Sequence, residues 1–264
     1  MTKQPILLDS ITDANEEHRG QIVVSGSHGG IYPAAVASAA GIRAVLFNDA
    51  GIGLDKAGVA GVLALAKAGM AAASIDCRSC LIGSAEDAFK RGVVTIVNPI
   101  AAQCGLKVGM PVDEAVRALE NAPQPHGLLP EVEESRNELR LDENGLAILL
   151  VDSASLVIPK DENKVIITGS HGCLIGGNPT RALKAAARIA VFNDAGVLSD
   201  DITISRLPAL DEREVAAVTV SHETARIGDA HSALETGVIS KANERARNAG
   251  AKVGKSLKAW LTGL

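Results

Sequence analysis

The stretch VVSGSHG at residues 23–29 returns as IITGSHG at residues 166–172, an offset of 143 residues. A second stretch, FNDAG at residues 47–51, returns unchanged at residues 192–196, now at an offset of 145 residues. That offset holds without a further gap as far as residues 250–254. Agreement in constant register over such a length indicates that the chain is a tandem duplication.

The duplication predicts three segments along the chain. The first repeat covers residues 1–119, the second covers residues 148–264, and residues 120–147 connect them. The connecting segment has three prolines in its first eleven residues and then a charged stretch. This composition predicts a linker followed by a polar strand or turn.

Short apolar runs alternate with Ala-rich segments inside each repeat, which predicts alternating strands and helices. In the first repeat, we expect strands at 22–25, 44–47 and 71–75, and helices at 33–40, 58–68 and 85–91. Residues 93–97 are typical of a strand, although the matching residues 238–242 could equally begin a helix. Strands that are apolar on both faces indicate a mostly parallel sheet covered by helices. The predicted fold class is therefore α/β, a tandem duplication of a parallel-sheet α/β unit whose two halves are related by a pseudo-twofold axis.

The composition excludes several classes of protein. The chain has 264 residues, a formal charge of −5 and only 2% aromatic residues, so it lacks the cationic face and the rings that nucleic-acid binding requires. It has no apolar stretch of the roughly 18 to 20 residues that a membrane span needs, and no export signal at its start. We therefore expect a cytoplasmic protein with reduced cysteines that binds neither nucleic acid nor membranes.

Polar residues follow the predicted strands, and ligands of open parallel sheets bind at the carboxyl ends of strands. This placement predicts six catalytic residues, namely His28, Asp49, Cys77, His171, Asp194 and His222. It also predicts a set of substrate-binding residues, namely Ser25, Gly26, Ser27, Gly29, Asn48, Arg78, Gly169, Ser170, Gly172, Asn193, Glu223 and Arg226. Among these, Arg226 would suit a substrate carboxylate.

The Gly-rich motif and the Asn-Asp motif each allow two interpretations. The glycines can supply a turn that binds an anion through free N–H groups, or a tight turn with a purely structural role. The carboxylates of Asp49 and Asp194 can orient a histidine or a metal, act as a general base, or simply close the strand.

Cys77 corresponds in the duplication to His222. A thiol facing an imidazole across the pseudo-twofold axis would be a nucleophile with its base, and Arg78 nearby would favour the thiolate. The alternatives are that Cys77 fills space in the core, or that Cys77 and Cys80 form a redox pair or half of a zinc site.

The sequence predicts no cofactor and no metal ligands. A divalent metal held by His28, His171, Asp49 and Asp194 is the alternative. The expected partner is a small-molecule substrate, and homo-oligomerisation stays open.

The most consistent function is a hydrolase that acts on a small polar metabolite bearing a carboxylate or an amide, at a site between the repeats. Two alternatives stay open at this point: an isomerase or racemase that uses opposed acid and base groups, and a non-catalytic module that binds small anions.

Overall fold

The computed structural model describes residues 4–140, 146–196 and 201–264. The chain forms two compact units, each built around one sheet. The first comprises Met1–Ile52 and Lys56–Glu133, and the second comprises Gly53–Asp55 and Glu134–Leu264. The division at residue 133 falls inside the predicted linker 120–147, whose later part contributes to the second unit.

The first unit is a five-stranded sheet with helices on both faces. Its strands lie in chain order, and they are β1 (Ile6–Leu8), β2 (Ile22–His28), β3 (Ala44–Asn48), β4 (Ala71–Ile75) and β5 (Val94–Val97). Its helices are α1 (Ile31–Ala39), α2 (Ala60–Ala64), α3 (Ala85–Arg91), α4 (Pro99–Gln103) and α5 (Val112–Ala118). The first four strands are parallel, and β5 pairs antiparallel with β4.

The second unit repeats this plan with one additional strand. Its strands are β6 (Arg136–Arg140), β7 (Ala147–Val151), β8 (Val165–His171), β9 (Ile189–Asn193), β10 (Ala216–Val220) and β11 (Ile239–Ala242). Its helices are α6 (Arg206–Asp211), α7 (Ala230–Thr236), α8 (Glu244–Asn248) and α9 (Leu257–Thr262). Strands β7 to β10 are parallel, and the edge strands β6 and β11 are antiparallel to their neighbours.

The predicted α/β class in two similar halves is confirmed. Residues that alternate along each strand belong to cores on opposite faces of the sheet, as Val23 and Val24 do in β2. The ambiguous segment is a strand in both units, since β5 and β11 occupy matching positions at the sheet edge. Among the described residues, no helix has the length and apolarity needed to cross a membrane.

The two units differ in the connection between their second and third parallel strands. In the first unit this connection is α1, which packs so closely against α2 that a Cβ at Gly61 would lie 2.0 Å from the Gly30 carbonyl oxygen. In the second unit Arg206 occupies the position of Gly61, and residues 172–188, all described, form short 3-10 turns instead of an α-helix. Gly176 and Gly177 adopt positive φ there, and Pro179 lacks an N–H, so a helix is disfavoured.

Arg206 fills the space that a second close helix pair would have occupied. Its guanidinium is buried, donates to the carbonyl oxygens of Cys173 and Ala182, and lies 5.0 Å from the centre of the Phe192 ring. Burial lowers the pKa of Arg206 to about 10, so the group stays charged at neutral pH. The side chain therefore satisfies carbonyl groups that a helix would otherwise have bonded.

The additional strand β6 is held by an ion cluster at the edge of the second sheet. The carboxylate of Asp161 is only 1% exposed and accepts from Arg136 at 2.8 Å and from Lys164 at 3.1 Å. Burial alone would raise the pKa of Asp161, but the hydrogen bonds from Arg136, the Ile158 N–H and Lys164 outweigh it and lower the pKa to about 2. The cluster thus joins the end of the linker segment to the second unit.

We predict that Arg136→Met lowers the free energy of unfolding by about 2 kcal/mol, because it leaves the Asp161 carboxylate buried with one cation fewer. Urea denaturation at pH 7 measures the loss. The contribution of Asp161 is present above pH about 4 and disappears as the pH falls towards 2, so the difference between the two proteins shrinks in that window. Arg117→Met is the matched control, since Arg117 and Asp113 form a half-exposed pair on α5. Equal losses in the two variants would contradict the prediction.

Candidate functional site

A carboxylate follows the central strand of each unit and ties that strand to its neighbour. Asp194 comes directly after β9, and its Oδ1 accepts from the backbone N–H of His222, which lies just beyond β10, at 2.9 Å. Asp49 does the same after β3, where its Oδ1 accepts from the N–H of Cys77 at 3.0 Å. Each Asp is almost fully buried. The parallel strand ends thus bring the predicted catalytic positions together within each unit.

In the second unit this arrangement forms an aspartate–histidine pair. The Nδ1 atom of His222 lies 2.8 Å from Asp194 Oδ1, the atom that also accepts from the His222 backbone. The side chain of Asp194 is 7% exposed, whereas that of His222 is 20% exposed. A carboxylate at Nδ1 places the proton of a neutral imidazole there and leaves Nε2 as the basic nitrogen.

The backbone around His222 is shaped by an irregularity in the sheet. The register between β10 and β11 shifts between Thr219 and Val220, just before the turn that carries His222. The Ser221 N–H still bonds to the Val238 carbonyl at 2.9 Å, and the Asp194 N–H bonds to the Val220 carbonyl at 2.9 Å. Such bulges redirect the side chains that follow them.

In the first unit a thiol takes the place of the imidazole. Asp49 Oδ1 accepts from the N–H groups of Gly51 and Cys77, its Oδ2 accepts from the Thr95 hydroxyl at 3.1 Å, and the Cys77 thiol also hydrogen-bonds to it. Burial and then the negative charge of Asp49 raise the pKa of Cys77 well above its usual range. The thiol is therefore protonated at neutral pH and is a poor nucleophile.

Any stabilisation of a Cys77 thiolate by Arg78 is outweighed, because burial and the charge of Asp49 raise the pKa of Cys77 overall. Arg78 is exposed and forms a two-pronged pair with Asp76, with its Nε 2.9 Å from Asp76 Oδ1 and its Nη2 2.9 Å from Oδ2. Its charge is thus directed to that carboxylate. The Asp76 charge in turn adds to the effects that raise the pKa of Cys77.

The Gly-rich motifs lie at the ends of β2 and β8, where the backbone passes very close to two other segments. A Cβ at Gly26 would lie 2.7 Å from the Asp9 carbonyl oxygen and from the backbone of Gly83, and Gly169 is confined in the same way. The hydroxyls of the next serines, Ser27 and Ser170, accept from backbone N–H groups of the turns that follow β1 and β7. The glycine and the following serine of each motif therefore have a structural role.

The N–H groups that were expected to bind an anion are bonded within the protein. The Ser27 N–H donates to the Ser25 hydroxyl, the Gly29 N–H to the Asn48 carbonyl, and the Gly30 N–H to His28 Nδ1. In the second unit, the Gly172 N–H donates to the Asn193 carbonyl at 2.9 Å. The motif thus uses these donors to fix its own conformation, which removes the argument for an anion site here.

The remaining predicted binding residues have partners of their own. The side-chain oxygens of Asn48 and Asn193 accept from the N–H groups of Ala50 and Ala195, and so close the strand ends. The Arg226 guanidinium lies between Asp55 at 2.9 Å and Asp229 at 3.0 Å, so a substrate carboxylate would have to displace one of them. Glu223, beside His222, is exposed.

The motif histidine His28 lies in a different environment from His222. Desolvation by burial lowers the pKa of His28 to about 4, and its Nδ1 accepts from the Gly30 N–H at 3.2 Å. His28 is therefore neutral at pH 7, with its proton on Nε2. His171 is buried at the matching position after β8. Acid–base roles for these two residues stay predictions.

One cluster within the described residues has the composition of a cation site. Asp49, Asp76 and Cys77 each offer a ligand atom, and these atoms lie within 4.8 Å of one another. The carboxylates already accept from Thr95 and Arg78, and the thiol is protonated, so a cation would have to replace these contacts. The cluster therefore fits a metal poorly as it stands, and the predicted set of two histidines and two aspartates stays a prediction.

Three contributions were not anticipated from the sequence. The pairing of Asp194 with His222 inside one repeat could have been found, because turns after neighbouring parallel strands meet at one edge. The inclusion of Gly53–Asp55 in the second unit had no sequence signal. Thr95, which donates to Asp49, lies in the segment 93–97, whose assignment as a strand was left open.

No family model, no curated protein and no solved structure matches this chain. The case for a function therefore depends on the geometry of the residues themselves.

We predict that Cys77 reacts slowly with iodoacetamide at pH 7 and that Asp49→Asn accelerates this reaction, because the amide removes the charge that disfavours the thiolate. Mass spectrometry of the cysteine peptides over time measures each rate separately. Cys104, on the far side of the first sheet's core, serves as the internal control and should react equally in both proteins. Fast labelling of Cys77 in the wild-type protein would contradict the prediction.

We also predict that neutral His28 makes stability depend on pH. Between pH 6.5 and about 4, the unfolded chain binds a proton that the folded protein does not, so the free energy of unfolding falls as the pH is lowered through this window. The total loss is about 3 kcal/mol. The variant His28→Asn, whose side-chain oxygen can still accept from Gly30, should lose this component in urea titrations. The control is His231→Asn, at an exposed position on α7. Identical pH dependence in wild type and His28→Asn would refute the assignment.

Proposed function

We propose that this chain is an enzyme that hydrolyses a small polar metabolite bearing an amide or ester group. In this proposal His222 acts as the general base and Asp194 orients it. The observation that carries the proposal is the 2.8 Å contact between Asp194 Oδ1 and His222 Nδ1, made by a nearly buried carboxylate and a partly exposed imidazole. This geometry fixes the ring and its tautomer in the way that general-base catalysis requires.

The chemistry follows from that tautomer. His222 Nε2 removes a proton from a water molecule as the water oxygen attacks the substrate carbonyl carbon, and the carbonyl electron pair moves onto its oxygen. When the tetrahedral intermediate collapses, the bond to the leaving nitrogen or oxygen breaks, and the His222 imidazolium returns its proton to that atom. Asp194 stabilises the imidazolium between the two steps. Water is the nucleophile, because Cys77 is a protonated thiol.

The same observations favour hydrolysis over the other two candidates. A racemase with opposed bases needs a second group ready to accept a proton, yet Cys77 is protonated and His28 has a pKa of about 4 with its Nδ1 already bonded. A module that binds small anions needs free N–H groups or a free cation, yet the motif N–H groups at Ser27 and Gly29 are bonded and Arg226 is paired with two carboxylates.

The substrate class is narrowed by the charges near His222. Arg226 is already matched by Asp55 and Asp229, and Glu223, the residue after His222, is exposed. These charges favour a substrate with an uncharged amide or ester group over a substrate with a carboxylate. With 2% aromatic residues, the chain also offers few rings on which an extended planar ligand could stack.

We predict that the wild-type protein hydrolyses at least one member of a panel of small esters and amides. Release of nitrophenol from p-nitrophenyl acetate and release of ammonia from primary amides are the measurements. His222→Asn and Asp194→Asn should each lower the rate by about 10²-fold or more, because they remove the base or its correct tautomer. Asn at position 222 can still donate to Asp194, so folding should be preserved.

The matched control is His231→Asn, at an exposed position in the same unit, which should keep the wild-type rate. Hydrolysis that survives unchanged in His222→Asn would exclude His222 as the base. Absence of hydrolysis above buffer across the whole panel would overturn the assignment as a hydrolase.

A further inference from the structure

The segment Gly53–Asp55 belongs to the second compact unit. There it contacts the backbone of His222, the histidine that pairs with Asp194. The Leu54 N–H donates to the His222 carbonyl oxygen at 2.8 Å. A Cβ at Gly53 would lie 3.0 Å from that same oxygen, so the approach requires glycine here. The segment therefore contacts the main chain of His222 through its own main chain.

The residues around this contact hold a conformation that the chain does not adopt readily. Ile52, Asp55 and Lys56 have φ angles of 65°, 54° and 58°, and Gly53 has a φ of 69°. Left-handed φ is disfavoured for every residue except glycine, and most of all for a β-branched residue such as Ile52. Such a backbone persists only where contacts with its surroundings hold it.

The segment is also held by an ion pair between Asp55 and Arg226. Arg226 donates to Asp55 Oδ2 at 2.9 Å through Nη1 and to Asp229 Oδ2 at 3.0 Å through Nε. Asp229 is itself fixed as the N-cap of α7, since its Oδ1 accepts from the Ser232 N–H at 2.8 Å. Arg226 thereby connects a strained segment to a rigid helix start.

These contacts fix the peptide groups on both sides of the His222 side chain. Its N–H is held by Asp194 Oδ1 and its C=O by the Leu54 N–H. With both groups fixed, the direction of the bond from Cα to Cβ is fixed as well, and with it the distance from the ring to Asp194. Among the described residues, Asp194 contacts the imidazole directly, and the charged residues Glu223 and Arg226 follow His222 along the chain.

We propose that Gly53–Asp55, anchored by Arg226, is a positioning segment that sets the orientation and tautomer of His222. This proposal rests on the proposed function for its catalytic meaning, but its structural content concerns only the His222 ring. Gly53 and Asp55 are positioning residues, because neither acts on the reacting atoms.

The test compares Asp55→Asn and Gly53→Ala with the wild-type protein. Two-bond ¹H–¹⁵N correlation spectra of the histidine rings report the tautomer of His222, and p-nitrophenyl acetate hydrolysis reports its action. In Asp55→Asn, where the ion pair is lost, we expect the neutral ring to shift from the Nδ1–H form towards the Nε2–H form. The kcat should fall about 10-fold with little change in KM. Asp55→Glu, which restores the charge, should recover both signals.

Asp113→Asn, which removes the partner of Arg117 in a comparably exposed ion pair on α5, is the control and should leave spectrum and rate unchanged. Wild-type His222 ring signals in both Asp55→Asn and Gly53→Ala would overturn the positioning role. If Gly53→Ala fails to fold, Asp55→Asn decides alone. A shifted tautomer in Asp55→Asn together with normal hydrolysis in His222→Asn would support the positioning role and refute the proposed function, so the two failures are distinguishable.

Discussion

The site in each unit depends on one hydrogen bond, from the backbone N–H that follows one strand to the carboxylate that follows its neighbour. Asp49 accepts from Cys77 and Asp194 accepts from His222 at nearly equal distances. Each carboxylate is nearly buried, and an unpaired buried charge is costly, so the donor must be present and well placed. The hydrogen bond therefore fixes the backbone position from which the side chain of Cys77 or His222 extends.

The two repeats share this hydrogen bond but differ in the side chains at equivalent positions around it. Gly61 allows α1 and α2 to touch, whereas Arg206 at the matching position excludes a close helix and bonds the carbonyl groups of the segment that replaces it. Gly61 is thus compatible with the helical connection of the first unit, and Arg206 with the non-helical connection of the second. The exchange of Cys77 for His222 occurs in the same way, on an unchanged backbone contact, which explains how the halves can share a fold and differ in chemistry.

Much of the architecture could be predicted from the sequence, because periodicity and the repeat register depend on local patterns. The alternation of strands and helices and the carboxylates of the FNDAG motif at the strand ends are of this kind. The pairing partners were less accessible, since the sequence grouped His28 and His171 with Asp49 and Asp194, while the geometry of strand ends joins Asp194 to His222. The contact between Asp55 and Arg226 spans 171 residues and has no counterpart in any local pattern.

The equivalent carboxylates of Asp49 and Asp194 have opposite effects on the side chains that they contact. Asp49 disfavours the thiolate of Cys77, which is the reactive form of that group, so the pair in the first unit is unreactive. Asp194 contacts Nδ1 of His222, so the neutral ring keeps Nε2 as its basic nitrogen. In the proposed reaction, Asp194 stabilises the imidazolium that forms when Nε2 takes a proton. A buried aspartate that suppresses a nucleophile is thus well suited to support a base. This asymmetry between the halves is the reason for assigning the proposed reaction to the second unit.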